Sequence, residues 1–171
     1  PMDKALQVLG EQVLAYTHLQ VSEHHYALSA ELLAVTHAYP GEQSGSYRLA
    51  AKGAAEAIVD LCHLEQTRQD EIRAQVEDMA RRGLRVLGVA TGTYAGSFWP
   101  DNPHDLDFHF LGLIGFQDPP RPEVPAAMQE CRQAGIRVIM MTGDHPATAA
   151  AIAAQIDLTA SPDILTGKDI D

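Results

Sequence analysis

Residues 118 to 144 constrain the fold of this chain more than any other stretch. They begin with Asp-Pro-Pro-Arg, continue with apolar residues at spacings of three and four, and reach a glycine at Gly135. Those spacings predict an amphipathic helix with Pro122 in its first turn, ended by a left-handed glycine. The apolar run at residues 136–141, interrupted only by Arg137, is too short for a helix. It predicts a strand covered on both faces.

A Thr-Gly-Asp turn follows this predicted strand. Residues 142–144 stand between it and a second helical pattern that begins at Pro146. The turn would place the Thr142 hydroxyl and the Asp144 carboxylate at the carboxyl end of a strand, where open α/β sheets bind ligands. The amino end of the next helix favours phosphate there. Both side chains could also serve as helix caps, a role that is compatible with phosphate binding. The pattern predicts nucleotide chemistry.

Three motifs, in this order, resemble P-type cation-transporting ATPases. Lys-Gly-Ala-Ala-Glu at residues 52–56 is similar to the Lys-Gly-Ala-Pro-Glu motif of that family's nucleotide-binding domain, and residues 83–90 resemble the strand that follows. Residues 111–158, with Asp-Pro-Pro-Arg and Thr-Gly-Asp, look like the segment that re-enters the phosphorylation domain. Three ordered motifs are much harder to obtain by chance than one.

The resemblance implies an α/β fold with two domains. Residues 1–110 would form an α+β nucleotide-binding domain, with an antiparallel sheet and flanking helices. Residues 111–171 would form part of a phosphorylation domain of the haloacid-dehalogenase-like, Rossmann type. Two consecutive prolines after Asp118 restrict the backbone and suit a stiff connection between the two.

Two motifs of the family are missing from the sequence. One is Asp-Lys-Thr-Gly-Thr, whose aspartate accepts the phosphoryl group, and the other is Gly-Asp-Gly-x-Asn-Asp, which holds magnesium. We therefore expect a fragment that is inactive alone, with the nucleophilic aspartate and the main Mg²⁺ ligands outside it. No metal site is predicted among these residues, because the eight histidines match no standard zinc spacing.

The resemblance also implies an ATP pocket. Lys52 and Gly53 would approach the phosphates or the adenine edge, and Arg85 would meet a phosphate. Leu87 would share the face of Arg85 and wall the adenine pocket. Each has a plain structural alternative, since a lysine can be exposed at a strand end and an arginine can pair with a protein carboxylate.

The remaining site residues come from the same resemblance. Many family members frame the adenine with an aromatic residue followed by serine and basic residues, and here Tyr26 and Leu28 are both candidates for that contact. Asp118 would position the nucleotide and its magnesium, or would only fix the hinge turn. The residues expected to line the site of phosphoryl transfer are Thr142, Gly143 and Asp144.

Hydrophobic periodicity outlines the other elements. It predicts an amphipathic packing helix over residues 3–16, a hairpin with strands at 32–39 and 47–51, helices from Ala54 and from a cap at Thr67, strands at 84–90 and 108–116, and a surface loop at 91–107. Gly83 is expected to end the helix that starts at Thr67.

Composition excludes several functions. A formal net charge of −11 argues against binding to nucleic acid or to an anionic membrane surface. No run approaches the roughly 18 apolar residues that a membrane helix requires. The two cysteines lack CxxC spacing, which favours reduced, buried thiols.

Taken together, the motifs favour the ATP-binding cytoplasmic portion of an integral membrane ATPase. It would couple ATP hydrolysis, through an aspartyl-phosphate, to the transport of a cation by a membrane domain outside this chain. We expect the isolated chain to be a monomer. The alternatives are a soluble haloacid-dehalogenase-type phosphatase, in which Lys-Gly-Ala has no place, and a non-catalytic nucleotide-binding module.

Overall fold

The chain forms two compact units. The computed structural model describes residues 2–14, 21–159 and 163–169. Unit one comprises residues 1–64 and 88–112, and unit two comprises residues 65–87 and 113–171. The division into a nucleotide-binding domain and a partial phosphorylation domain near residue 110 stays a prediction.

Helices and strands follow one another along the chain in this order: α1 Met2–Leu14, β1 His24–Tyr26, β2 Ala34–Pro40, β3 Tyr47–Gly53, α2 Ala55–Leu61, α3 Gln66–Arg81, β4 Arg85–Tyr94, a short 3₁₀ turn Pro103–Asp105, β5 Phe108–Phe116, α4 Val124–Gln133, α5 Pro146–Gln155 and a second 3₁₀ turn Gly167–Asp169. The strands form a five-stranded sheet in the order β1-β2-β3-β4-β5. Strands β1 to β4 pair antiparallel. This sheet and its flanking helices confirm the predicted α/β class.

The predicted hairpin is the centre of unit one. Strand β2 begins at Ala34, and its register with β3 runs from Ala34 opposite Gly53 to Pro40 opposite Tyr47. Side chains alternate between faces, so that Ala34, Thr36 and Ala38 are buried while the residues between them are half-buried. The sequence predicts the position of this hairpin closely, because β-branched and aromatic residues flank a glycine-containing loop.

The core of unit one lies between this sheet face and α2. Ile58 and Leu61 of α2 are fully buried with Leu49 of β3. On β4, Gly88 lies directly against Ile58, where an added Cβ would meet the Ile58 Cβ at 2.9 Å. Helix and sheet approach this closely because Gly88 has no side chain.

Two predicted features of unit one need correction. The loop predicted at 91–107 is shorter, because β4 continues to Tyr94 and the Thr91 hydroxyl donates to the Leu49 carbonyl at 3.0 Å. Helix α1 forms, yet Leu9 is 51% exposed and Val13 70% exposed, so it is not the packed helix that its periodicity predicts. Residues 15 and 16, the expected end of this helix, lie outside the described residues.

In unit two, α3 packs against α5. Gly83 ends α3 with φ +77, and Gly135 follows α4 with φ +71, as predicted for left-handed glycines. The Thr148 hydroxyl of α5 is buried and donates to the Leu84 carbonyl at 2.8 Å. Strand β5 has the predicted bounds.

Two predicted helix starts in unit two are wrong. Glu65, not Thr67, is the N-cap of α3, without a side-chain cap hydrogen bond. Helix α4 begins at Val124, so Pro125 rather than Pro122 occupies its first turn. Pro125 satisfies the rule that proline is tolerated in the first turn, where no helical amide bond is lost.

The buried strand predicted at residues 136–141 is also wrong. These residues belong to no strand of the described sheet, and Ile139 is 71% and Met141 92% exposed. A strand needs a hydrogen-bonded neighbour, and the described residues supply none on either side of this segment. Periodicity reports which residues can be buried and not whether a partner is present.

Candidate functional site

Lys52 lies near the end of β3, opposite Val35 on β2 and Val89 on β4. Its ammonium forms an ion pair with the carboxylate of Asp3, in the first turn of α1. The lysine side chain is 32% exposed, and burial lowers its pKa. A partly desolvated cation that is held by a single exposed carboxylate is available to an anionic ligand.

The sequence does not predict Asp3 as a site residue. It precedes Lys52 by 49 positions, and the sequence presents it only as an acid at a helix start, where acids are common. The tertiary contact is what links it to Lys52.

The fold itself requires a glycine at position 53, next to Lys52. A Cβ at this position would lie 2.3 Å from the Leu33 carbonyl oxygen and 2.6 Å from the Ala34 Cα. The same carbonyl accepts a 2.9 Å hydrogen bond from the Ala54 amide, which holds it in place. Close backbone packing therefore accounts for this glycine, and a further contact with ATP stays a prediction.

The structure does not bring Tyr26 together with Lys52. Tyr26 is opposite Thr36 in the register, whereas Lys52 is opposite Val35, so the two side chains project from opposite faces of the sheet. The Tyr26 hydroxyl donates instead to the Pro100 carbonyl at 2.7 Å, and burial raises its pKa. Leu28, the other candidate, is 61% exposed. An adenine contact by Tyr26 or Leu28 stays a prediction.

Arg85 and Asp144 meet in unit two. The Arg85 Nε lies 3.3 Å from the Asp144 Oδ1, with side-chain exposures of 56% and 24%. The sequence leaves two alternatives for Arg85, a phosphate ligand and a protein carboxylate. The structure contains the pairing with a protein carboxylate. It does not exclude a phosphate ligand, because a guanidinium has five N–H donors and can serve two anions at once.

The Thr-Gly-Asp turn is held by its own hydrogen bond. The Thr142 hydroxyl oxygen accepts from the Asp144 amide at 3.1 Å. His145, rather than Thr142 or Asp144, caps α5, since its Nδ1 accepts from the Ala147 amide at 3.2 Å. The turn therefore leaves the Asp144 carboxylate free of a capping role and paired with Arg85.

The other two predicted residues have simpler surroundings. Leu87 is half-buried on β4, two positions after Arg85 and so on the same face of the strand. Asp118 is exposed between β5 and α4. Among the described residues, no group of three His, Cys, Asp or Glu side chains could hold a metal ion. The part of the chain that the structure describes also contains no helix long and apolar enough to cross a membrane.

Comparison with known proteins agrees with the motifs. Residues 1–123 match the family model described as "P-type ATPase, cytoplasmic domain N". Similar proteins include a sodium/potassium exporting P-type ATPase, cta3, of Schizosaccharomyces pombe, 36% identical over 94% of this chain and 16% of that protein. Calcium-transporting ATPase 1 of Bacillus cereus is 30% identical over 100% of this chain and 21% of its own length.

A third relative covers nearly the whole of this chain. The endoplasmic reticulum calcium ATPase srcA of Aspergillus fumigatus is 31% identical over 98% of this chain and 22% of that protein. The chain thus spans about a fifth of the length of these relatives. It belongs to the P-type ATPase family, and its amino-terminal part corresponds to the family's cytoplasmic domain N.

Proposed function

We propose that this chain is the ATP-binding cytoplasmic part of a membrane ATPase that transports a cation. Membership of the family supports the activity, and the setting of Lys52 supports the binding of ATP. In the whole protein, ATP hydrolysis would proceed through an aspartyl-phosphate and drive a cation through a membrane domain. Magnesium would arrive with ATP as part of the substrate.

The observation that carries this proposal is the Lys52 ammonium on β3. Strands on both sides fix the backbone of β3, so the cation is held in place before any ligand arrives. Its partner Asp3 is 81% exposed. A phosphate or a base edge can therefore approach Lys52 without the sheet having to rearrange.

Arg85 and the Thr-Gly-Asp turn would act on the phosphate end of the nucleotide. In the ion pair, Asp144 contacts the Nε of Arg85. The terminal nitrogens of the guanidinium would then bind phosphate oxygens, while Thr142 and Gly143 line the receiving side. Phosphoryl transfer depends chiefly on positioning and charge neutralisation, and these are the contributions that such side chains make.

The proposed nucleotide contacts also include four other residues: Leu87, Asp118, Gly53 and Tyr26. Leu87 would contribute apolar surface on the face of Arg85, and Asp118 would help to position the nucleotide and its magnesium. Tyr26 projects from the face of the sheet opposite to that of Lys52 and would reach the nucleotide from that side.

Calorimetric titration of ATP into the 171-residue chain tests the proposal. We expect Lys52→Ala and Arg85→Ala each to weaken ATP binding by about tenfold, the usual effect of losing a hydrogen bond to a charged group. Arg68→Ala and Arg73→Ala are matched controls, because each removes an exposed cation that pairs with a carboxylate of its own helix, α3. Circular dichroism would verify that all four variants fold.

Unchanged affinity in both Lys52→Ala and Arg85→Ala would overturn the assigned pocket. Equal weakening in the controls would show that only net charge matters. A loss confined to Lys52→Ala would support the adenosine side of the site and remove Arg85 from it.

A further inference from the structure

Helix α5 begins with a cap that can change its charge. The N-cap residue is His145, whose Nδ1 accepts a 3.2 Å hydrogen bond from the Ala147 amide. The usual N-cap residues are serine, threonine, aspartate and asparagine, whose oxygens accept such a bond at any pH near neutrality. An imidazole nitrogen accepts one only while it carries no proton. The cap of α5 therefore depends on the charge of one exposed histidine.

This cap adjoins the Thr-Gly-Asp turn. Asp144 directly precedes His145. Its amide donates to the Thr142 hydroxyl oxygen at 3.1 Å, and its Oδ1 lies 3.3 Å from the Arg85 Nε. Aspartate is itself a preferred capping residue. Because His145 supplies the acceptor for the first turn of α5, the Asp144 carboxylate is available to Arg85.

The first turn of α5 is anchored beside Arg85. The buried Thr148 hydroxyl donates to the carbonyl of Leu84, the residue before Arg85, at 2.8 Å. Helix α3 packs against α5 and ends at its own arginine, with another following. The charged groups that these elements bring to the turn are one carboxylate and three guanidinium groups: Asp144, Arg81, Arg82 and Arg85. Such groups ordinarily stay charged between about pH 5.5 and 8, whereas an imidazole does not.

We propose that His145 is a positioning residue, which directs the Asp144 carboxylate to Arg85 only while its imidazole is neutral. A proton on Nδ1 removes the acceptor for the Ala147 amide and adds positive charge at the positive end of the helix dipole. The Asp144 carboxylate then turns to the free helix amide and leaves the guanidinium of Arg85. The inference rests on the proposed function, in which Arg85 binds the phosphates. Protonation thereby alters the phosphate end of that nucleotide site.

An NMR titration of the chain without nucleotide tests this role. From about pH 8 to 5.5, we expect the Ala147 amide signal and the Arg85 Nε signal to shift together with the ring signals of His145. His145→Asn supplies a capping oxygen that does not titrate, so both shifts should disappear. In His145→Ala, both signals should lie at every pH near the positions that the unaltered chain reaches at low pH.

His109→Asn is the matched control, because it removes an exposed imidazole of β5, in unit one. This variant should titrate like the unaltered chain. An Arg85 signal that shifts equally in His145→Asn and in the unaltered chain would overturn the proposal. So would a shift of Ala147 without one of Arg85, since the cap would then change without moving Asp144. A failure of ATP binding in the calorimetric titration would contradict the proposed function alone, because this experiment contains no nucleotide.

Discussion

Cys62 shows most clearly what burial does to a single residue here. The thiol follows α2 and is packed into the core of unit one. Burial raises its pKa from an ordinary value of 9.0 to about 11. The folded protein therefore keeps this proton to a higher pH than the unfolded chain does.

This difference predicts how stability depends on pH. Between pH 9 and 11 the unfolded chain binds fewer protons than the folded chain, so the free energy of unfolding falls as pH rises. The loss that Cys62 contributes is at most roughly 3 kcal/mol, and it is absent below pH 9. Urea denaturation of the chain and of Cys62→Ala, followed by circular dichroism at several pH values, measures it.

The variant separates Cys62 from other titrating groups. Tyr26, whose pKa is also raised, destabilises the fold in the same direction but is present in both proteins. We therefore expect a shallower decline in Cys62→Ala. Parallel declines would show that the thiol does not contribute.

For single residues, the sequence predicts local conformation and burial better than it predicts which side chains come into contact. The left-handed Gly83 and Gly135 and two unbridged cysteines follow from local rules, and the structure agrees, although only Cys62 is buried and Cys131 is half-buried. Asp3 beside Lys52 and Asp144 beside Arg85 do not, because each pair is far apart in the chain. Tertiary contacts of this kind leave no periodic signal.

At the scale of elements, α2 and β4 meet at a glycine. A Cβ on Gly88 would lie 2.9 Å from the Ile58 Cβ and 3.3 Å from the Ala55 Cα. Neither is the end of a flexible side chain, so the helix would have to move. Gly88→Ala should lower the free energy of unfolding by about 1–3 kcal/mol, the usual cost of overpacking a core.

Gly10→Ala is the matched control, because a Cβ at Gly10 in α1 meets nothing within 4 Å. Alanine is the better helix former, so stability should stay the same or rise by up to about 1 kcal/mol. Urea denaturation followed by Trp99, which belongs to the same unit, measures both variants. Equal effects of the two substitutions would contradict the packing argument.

Elements are predicted well where a local pattern suffices. The hairpin, β5 and the helices α2 to α5 all form close to their expected positions. The run at 136–141 fails because strand formation depends on a neighbour that the pattern cannot supply. Helix α1 fails differently, since it forms but its apolar face is not covered.

At the scale of the whole molecule, binding and hydrolysis should separate. The sequence contains neither Asp-Lys-Thr-Gly-Thr nor Gly-Asp-Gly-x-Asn-Asp, the motifs implied to accept the phosphoryl group and hold magnesium. We expect the 171-residue chain to bind ATP and to release no inorganic phosphate above the buffer background. A colorimetric phosphate assay, run beside the calorimetric titration, measures this.

Either of two results would contradict that expectation. Phosphate release that persists after repeated purification would require an acceptor among the residues of this chain. Absence of binding would remove Lys52 and Arg85 from nucleotide recognition.

The uncovered segment at residues 136–141 has a practical consequence. An exposed apolar run without a hydrogen-bonded neighbour is a segment on which a strand of a second molecule can add. Strand addition between molecules is bimolecular, whereas unfolding is not. Dilution should therefore slow the loss of this chain from solution, and a fused or co-expressed partner strand would slow it further.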